Sequence, residues 1–159
     1  MAAALIEALR GRQIPVLVLD GDTLRSSLCR GLGFSDVDRL ENLRRAAEVA
    51  RLGVDSGLCV VASFITPLES HRQLIRETIG QDRISMIFAD APLEVCRHRD
   101  VKGLYARAQA GKVEQMTGIS SVFEKPASAD LILDTAAMPP ADTARELIAF
   151  ASKRLVLAK

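Results

Sequence analysis

The sequence predicts an α/β fold in which a parallel sheet is covered by helices. Three apolar runs, at residues 14–19, 58–63 and 84–88, have the length and composition of buried strands. Amphipathic stretches of helical period separate these runs, as expected when helices pack on both faces of a sheet. The 159 residues and 48% hydrophobic content support one core. We therefore expect one domain over residues 1–159.

The first elements are a helix and a strand. Residues 2–10 carry a helical apolar stripe that Gly11 is placed to end. Residues 14–19 form the first strand, and the Asp-Gly-Asp at 20–22 predicts a turn at its carboxyl end.

A long helix and a second strand follow. Ser35 is a predicted N-cap and Gly57 a predicted stop. Between them the residues expected to face inward recur at helical spacing: Val37, Leu40, Leu43, Ala47, Ala50 and Val54.

The second half repeats the alternation. Pro67 opens a predicted helix that runs to about residue 79. After the strand at 84–88, Ala91-Pro92 starts another helix, and a strand at 131–133 precedes a closing helix at 141–157. Residues 99–125 lack clean periodicity and gather basic residues and glycines, which predicts a mobile segment.

Composition excludes several classes of protein. Lys+Arg number 21 and Asp+Glu 20, so no bulk positive field favours nucleic acid or acidic membrane. No apolar stretch approaches the ~20 residues that span a bilayer. The three cysteines lack metal-ligand spacing, and neither His71 nor His98 has a partner at such spacing, so we expect reduced thiols, no zinc site and a cytoplasmic location.

Residues that follow the strands are the first candidates for a site, because ligands of parallel sheets bind beyond the carboxyl ends of the strands. They are Asp20, Asp22, Arg25, Thr66 and Asp90. A carboxylate followed three residues later by Arg suits magnesium or a hydroxyl together with an anion. A turn with a solvated Arg fits equally well.

Arg39 and Asn42 lie on one side of the long helix near its N-terminus, where anions are favoured. By itself this pair is more often a solvated helical face. Phe34 precedes the cap and is either a hydrophobic staple or a platform for a purine.

Six segments in order have a more specific meaning than any one of them. LDGDTLR, LGFSDVDRLENLRR, ASFITP, RDVKGLYARAQAG, TGISSVFEKP and LILDT run from Leu19 to Thr135. Together they resemble adenylylsulfate (APS) kinase, a nucleoside-kinase type of P-loop fold.

The resemblance implies roles for individual residues. Asp22 resembles the catalytic carboxylate near Mg²⁺ and the acceptor hydroxyl, and Thr66 matches a strand-end serine sometimes described as a phosphorylated intermediate. Lys102 matches a lysine of a lid at 99–125 that closes over both nucleotides, with Arg99 beside it. Thr135 matches a threonine near the ATP base. The implied APS contacts also include Arg25, Phe34, Arg39, Asn42, Ile65 and Met116.

The sequence departs from the family pattern at one position and in one motif. Met116 stands where the family usually has the second Phe of an adenine clamp, so we expect weaker stacking.

The sequence contains no GxxxxGK[ST] motif, the loop that cradles ATP phosphates, since Gly111-Lys112 is followed by Val113. In this fold that loop follows a central strand between 58–63 and 84–88. Those two strands then pair directly, leave a gap or borrow a strand, and we expect low stability and weak ATP binding.

The resemblance implies transfer of the ATP γ-phosphoryl group to the 3′-hydroxyl of APS, giving PAPS for sulfate assimilation, by a homodimer that uses Mg²⁺. A non-catalytic APS-binding or regulatory remnant is the alternative, since acceptor-side residues are present and the phosphate loop is not. Another small-molecule kinase, for shikimate or gluconate, is disfavoured because RDVKGLY and LGFS belong to the APS kinase pattern.

Overall fold

The computed structural model describes residues 1–100, 103–109, 117 and 121–157, and the chain folds as alternating helices and strands. No helix in these ranges is long and apolar enough to cross a membrane. The elements are α1 (Ala2–Gly11), β1 (Val16–Asp20), α2 (Gly21–Ser26), α3 (Asp36–Asp55), β2 (Cys59–Ser63), α4 (Glu69–Ile79), β3 (Ile87–Asp90), α5 (Leu93–Arg99), α6 (Leu104–Gln109), β4 (Leu131–Asp134) and α7 (Pro140–Leu157). The predicted α/β class is confirmed.

The strands form two separate parallel pairs. β1 pairs with β2, with Asp20 opposite Ser63 at the carboxyl end. β3 pairs with β4, with Asp90 opposite Asp134. Within the described residues β2 and β3 are not joined in one sheet. Of the three arrangements predicted for these two strands, the structure shows the gap.

Helices cover the strands on two faces and create two apolar clusters. On one face α1 and α7 pack against the strands through Leu5, Leu9, Leu133 and Leu147. On the other face α3 and α4 contribute the buried residues Ala47, Ala50 and Ile79, which pack with Leu19 of β1. Gly53 permits close contact of α3 with the sheet, because an added Cβ would lie 2.8 Å from Leu17 Cδ2.

The predicted turn at 20–22 is wrong, because these residues begin a helix. Asp20 is the N-cap of α2 and its carboxylate accepts the backbone N–H groups of Asp22 and Thr23. The predicted strand at 84–88 begins later, at Ile87. It starts there because its partner β4 begins only at Leu131, the residue paired with Ile87.

The long helix begins as predicted, with the Ser35 hydroxyl accepting the N–H of Asp38 at 3.1 Å. In the first turns of α3, the side chains that face inward are not the ones that the apolar pattern predicts. Val37 is 77% exposed, whereas the polar residues Arg39 and Asn42 are buried. The amino-terminal half of α3 therefore directs polar side chains into the molecule.

Candidate functional site

The carboxyl ends of the strands carry the predicted site residues. Asp20 and Ser63 end the first pair of strands, and Asp90 and Asp134 end the second. The backbone approaches closely at Gly21, where an added Cβ would lie 3.3 Å from Phe64 Cδ1. α2 and the loop after β2 are therefore neighbours.

Asp20 and Asp22 have different functions in the structure. Asp20 Oδ1 accepts hydrogen bonds from Asp22 N at 3.1 Å, Thr23 N at 3.0 Å and Thr23 Oγ1 at 3.1 Å. These bonds make Asp20 the capping residue that holds the first turn of α2. Asp22 lies in that first turn with an exposed side chain. Of the two carboxylates, Asp22 is the better placed to meet a ligand.

Two guanidinium groups lie over one exposed aromatic ring. The Arg25 guanidinium carbon is 4.4 Å from the centre of the Phe34 ring, and that of Arg39 is 5.4 Å away. Backbone bonds hold both side chains: Arg25 Nη1 donates to the Gly33 carbonyl at 2.6 Å, and Arg39 Nε donates to the Phe34 carbonyl at 2.9 Å. Phe34 remains 53% exposed. The cluster therefore offers positive charge and an aromatic surface together.

Arg39 and Asn42 are buried, which the sequence pattern alone did not favour. Burial lowers the pKa of Arg39, and the nearby charge of Arg25 lowers it further. Two cations held in this way favour an anion between them. Within the described residues the buried Oδ1 of Asn42 has no hydrogen-bond partner, so it is an available acceptor beside the arginines.

Thr66 is fixed by a buried arginine that sequence analysis did not identify. Arg72 is only 1% exposed, and it donates from Nη1 to the Thr66 carbonyl at 2.5 Å and from Nη2 to the Glu124 carbonyl at 2.9 Å. Its Nε donates to Glu69 at 2.8 Å. Arg72 follows Leu68 by four residues and precedes Ile75 by three, so it lies on an otherwise apolar stripe of the helix. That position in the sequence could have indicated that Arg72 is buried.

His71 is also buried, at 3% exposure, and within the described residues its Nδ1 has no hydrogen-bond partner. Burial lowers its pKa, and Asp36 and Arg39 are among the charged groups that act on it. His71 therefore belongs to the polar layer between α3 and α4 that includes Arg39.

Arg99 and Thr135 meet at the end of the second strand pair. Thr135 donates to the Asp90 carbonyl from its backbone N at 2.8 Å and from Oγ1 at 3.0 Å. Arg99 Nη2 donates to the Thr135 carbonyl at 2.7 Å. Lys125 also reaches this place, since its Nζ lies 2.9 Å from Asp90 Oδ2. These residues form a second polar cluster.

The structure thus brings Arg25, Phe34 and Arg39 into contact and unites Arg99 with Thr135. Ile65 lies in the loop after β2 and is 62% exposed. Two predicted contacts, Lys102 and Met116, lie outside the described residues. In the described part of the chain no three His, Cys, Asp or Glu side chains are grouped to hold a metal.

Comparisons with known proteins identify the family of this chain. The family model of adenylylsulphate kinase matches residues 1–134. An adenylyl-sulfate kinase of Klebsiella pneumoniae is 51% identical over 134 residues, which cover 84% of this chain and 67% of that protein. One from Escherichia coli K12 is 48% identical over the same shares. The Mycobacterium tuberculosis APS kinase in complex with AMPPNP and APS superposes with a TM-score of 0.89 at 41% identity, covering 95% of this chain and 88% of that one. The chain belongs to the adenylylsulfate kinase family.

Proposed function

We propose that this chain is an APS kinase, which transfers the γ-phosphoryl group of ATP to the 3′-hydroxyl of adenosine 5′-phosphosulfate and produces PAPS for sulfate assimilation. The observation that carries the proposal is the cluster in which Arg25 and Arg39 lie 4.4 and 5.4 Å from the Phe34 ring. A purine nucleotide with an anionic phosphosulfate needs both an aromatic surface and fixed cations. The similarity to adenylyl-sulfate kinases favours this activity over the binding-remnant interpretation.

The acceptor nucleotide binds across α2, α3 and the loop after β2. Phe34 stacks on the adenine, and the arginines bind the phosphosulfate through charge-assisted hydrogen bonds. Burial is the main cause of the lowered pKa of Arg39, and an anion placed there relieves the smaller contribution that comes from repulsion by Arg25. The Asn42 amide oxygen accepts a hydrogen bond from the ribose or the purine amino group. Ile65 and Thr66 add further contacts to APS, and the family resemblance adds Met116 and, from the lid segment 99–125, Lys102.

Asp22 is the proposed catalytic carboxylate. It orients the 3′-hydroxyl and accepts its proton as the oxygen attacks the γ-phosphorus. The capping bonds of Asp20 hold the turn that carries Asp22, so the fold positions the general base. Thr66, fixed through its carbonyl by Arg72, supplies a second hydroxyl at the reacting group.

Mg²⁺ would be held by Asp22 together with the ATP phosphates. One carboxylate is enough, because Mg²⁺ keeps several waters and is usually bound through one or two carboxylates plus substrate phosphates. When bound, the ion neutralises charge on the transferring phosphoryl group. On the nucleotide side, Arg99 and Thr135 lie together, and we propose that they contact ATP near its base, with Lys102 meeting phosphate charge.

We also propose a homodimer in the cytoplasm, a proposal that rests on the family resemblance. The expected result is a mass near twice 17.2 kDa by light scattering coupled to size exclusion.

The test separates the two substrates. Calorimetric titration with APS is expected to show binding that falls at least about tenfold in Arg39→Ala, which corresponds to ~1.4 kcal/mol. Titration with Mg-ATP tests the separate prediction of weak ATP affinity. PAPS formation is then measured with both substrates present. Absence of APS binding by the folded chain would overturn the proposed function, and tight ATP binding would overturn the prediction made from the missing phosphate-loop motif.

A further inference from the structure

The helix α4 begins without a capping side chain of its own. Its N-cap position is Leu68, whose apolar side chain accepts no hydrogen bond, so the first N–H groups of the helix need an acceptor from elsewhere. Glu124 provides one, because the Glu69 N–H donates to Glu124 Oε2 at 2.6 Å. The helix dipole also favours a carboxylate at this end. The start of α4 is therefore held by a residue 55 positions further along the chain.

The backbone of Glu124 is bound to the same part of the chain. Its N–H donates to the Pro67 carbonyl at 2.8 Å, and its carbonyl accepts from Arg72 Nη2 at 2.9 Å. Arg72 donates at the same time to the Thr66 carbonyl. With the bond from the Glu69 N–H, three hydrogen bonds join Glu124 to the chain between Pro67 and Arg72. Glu124 thus holds the loop that carries Thr66 from two sides.

The two neighbours of Glu124 attach it to the second pair of strands. The Phe123 ring stacks on the Phe88 ring of β3, with the ring centres 6.2 Å apart. Lys125 Nζ lies 2.9 Å from Asp90 Oδ2 at the end of β3 and 5.9 Å from the centre of the Phe88 ring. Residues 123 and 125 therefore contact β3, whereas Glu124 between them contacts α4. We call residues 123–125 the strap.

The strap matters because no strand pairing joins β2 to β3 among the described residues. The loops that follow these two strands are then held relative to each other by loop and side-chain contacts, such as those of the strap. Loops with few buried contacts open locally at a low cost in free energy. A ligand site, however, needs its groups held within about 0.5 Å of their productive positions. The bonds of Glu124 supply this restraint at Thr66.

We propose that Glu124 is a positioning residue for the APS site, an inference that rests on the proposed function. It fixes the loop that carries Ile65 and Thr66, the two proposed APS contacts that follow β2, against the strap and β3. Without the Glu124 carboxylate the first turn of α4 loses its cap and the loop samples other positions. APS then binds a chain whose competent state is less populated, and its affinity falls by that fraction. Glu124 acts through this loop and not by contact with APS.

The test compares wild type with Glu124→Ala, Glu124→Gln, Phe123→Ala and Glu77→Ala. Glutamine keeps a side-chain oxygen that accepts the Glu69 N–H, whereas alanine does not. Glu77 is an exposed carboxylate of α4 that accepts from Gln73 in the same helix, so it is the matched control. Calorimetry gives the Kd for APS separately from the number of competent chains. Hydrogen exchange at the Glu69 N–H is followed without ligand.

Glu124→Ala should raise the Kd for APS by about fivefold to tenfold, the effect of losing one helix cap, and should speed exchange at Glu69 by a similar factor. Phe123→Ala loosens the strap from β3 and keeps every group of Glu124, so it should raise the Kd by about twofold to fivefold. Glu124→Gln and Glu77→Ala should stay within about twofold of wild type. A merely structural role would lower the number of competent chains and leave the Kd of the rest unchanged.

Several results would overturn the proposal. One is an unchanged Kd for APS in Glu124→Ala, and another is unchanged exchange at Glu69 in that variant. Equal losses in Glu124→Gln and Glu124→Ala would show that the hydrogen bond is not the cause, and an unchanged Kd in Phe123→Ala would exclude the strap as the anchor. Absence of APS binding by wild type would overturn the proposed function instead, and exchange at Glu69 would then decide by itself whether Glu124 holds the loop.

Discussion

Replacing Arg72 by alanine should destabilise the chain more than any change at a surface arginine. Arg72 is 1% exposed and bonds two backbone carbonyls, of Thr66 at 2.5 Å and of Glu124 at 2.9 Å. These bonds join the loop after β2 to a segment 52 residues further along the chain. Alanine removes both donors, and no other donor to these carbonyls is present among the described residues.

The magnitude follows from the two bonds. A hydrogen bond from a charged donor contributes about 1.5–3 kcal/mol, so losing two costs about 3–6 kcal/mol. The pair with Glu69 adds little, because the Glu69 side chain is 41% exposed. For a chain of this size each kcal/mol shifts Tm by about 2–4 °C, so Tm should fall by about 6–24 °C.

The assay is urea unfolding of wild type, Arg72→Ala, Arg72→Lys and Arg44→Ala. Lysine keeps a charge but not the planar fork, so it should recover part of the loss. Arg44 is half exposed and pairs with Glu41 in the same helix, so its replacement should change the free energy of unfolding by no more than ~0.5 kcal/mol. A loss below about 1 kcal/mol in Arg72→Ala would refute the reasoning.

Four further predictions concern the site and the core. Asp22→Asn should reduce PAPS formation by about 10²–10⁴-fold while APS still binds; a rate within threefold of wild type would exclude Asp22 as the base. Phe34→Ala should weaken APS binding by ~1–3 kcal/mol in calorimetry, whereas Phe34→Tyr, which keeps the ring, should not. Equal losses of affinity in both variants would contradict stacking. Burial lowers the pKa of His71, so as pH falls below about 6.5 the unfolded chain binds this proton before the folded chain does, and wild type loses stability. From pH 7.5 to pH 5 the free energy of unfolding of His71→Gln should therefore rise relative to that of wild type. A constant difference between the two free energies would argue against a buried neutral imidazole. Leu133 is fully buried in β4, so Leu133→Ala should lower the free energy of unfolding by about 2–5 kcal/mol in the same urea assay. A smaller loss would mean that the surrounding apolar cluster collapses into the cavity left by the side chain.

Local sequence determined most elements because their signals act within a few residues. Ser35 caps α3 as predicted, and the apolar runs identified β1, β2 and β4 nearly to the residue. The same locality explains the error at 20–22, since an aspartate followed by glycine begins a turn and caps a helix equally well. The order of six short motifs also identified the family, because their combination is far more specific than any one of them.

Tertiary structure decided which polar residues are buried and how the strands pair. Arg39 and Arg72 carry a charge that favours solvent in any local pattern. Arg72 donates to a carbonyl 52 residues further along the chain, and Arg39 lies against the Phe34 ring and donates to the Phe34 carbonyl. The gap between β2 and β3 is one of three arrangements that the sequence predicts, and neither strand selects among them, because both strands have the composition of buried central strands. Pairing depends on which edges meet in space, and that is decided by the packing of α1, α3, α4 and α7 around them.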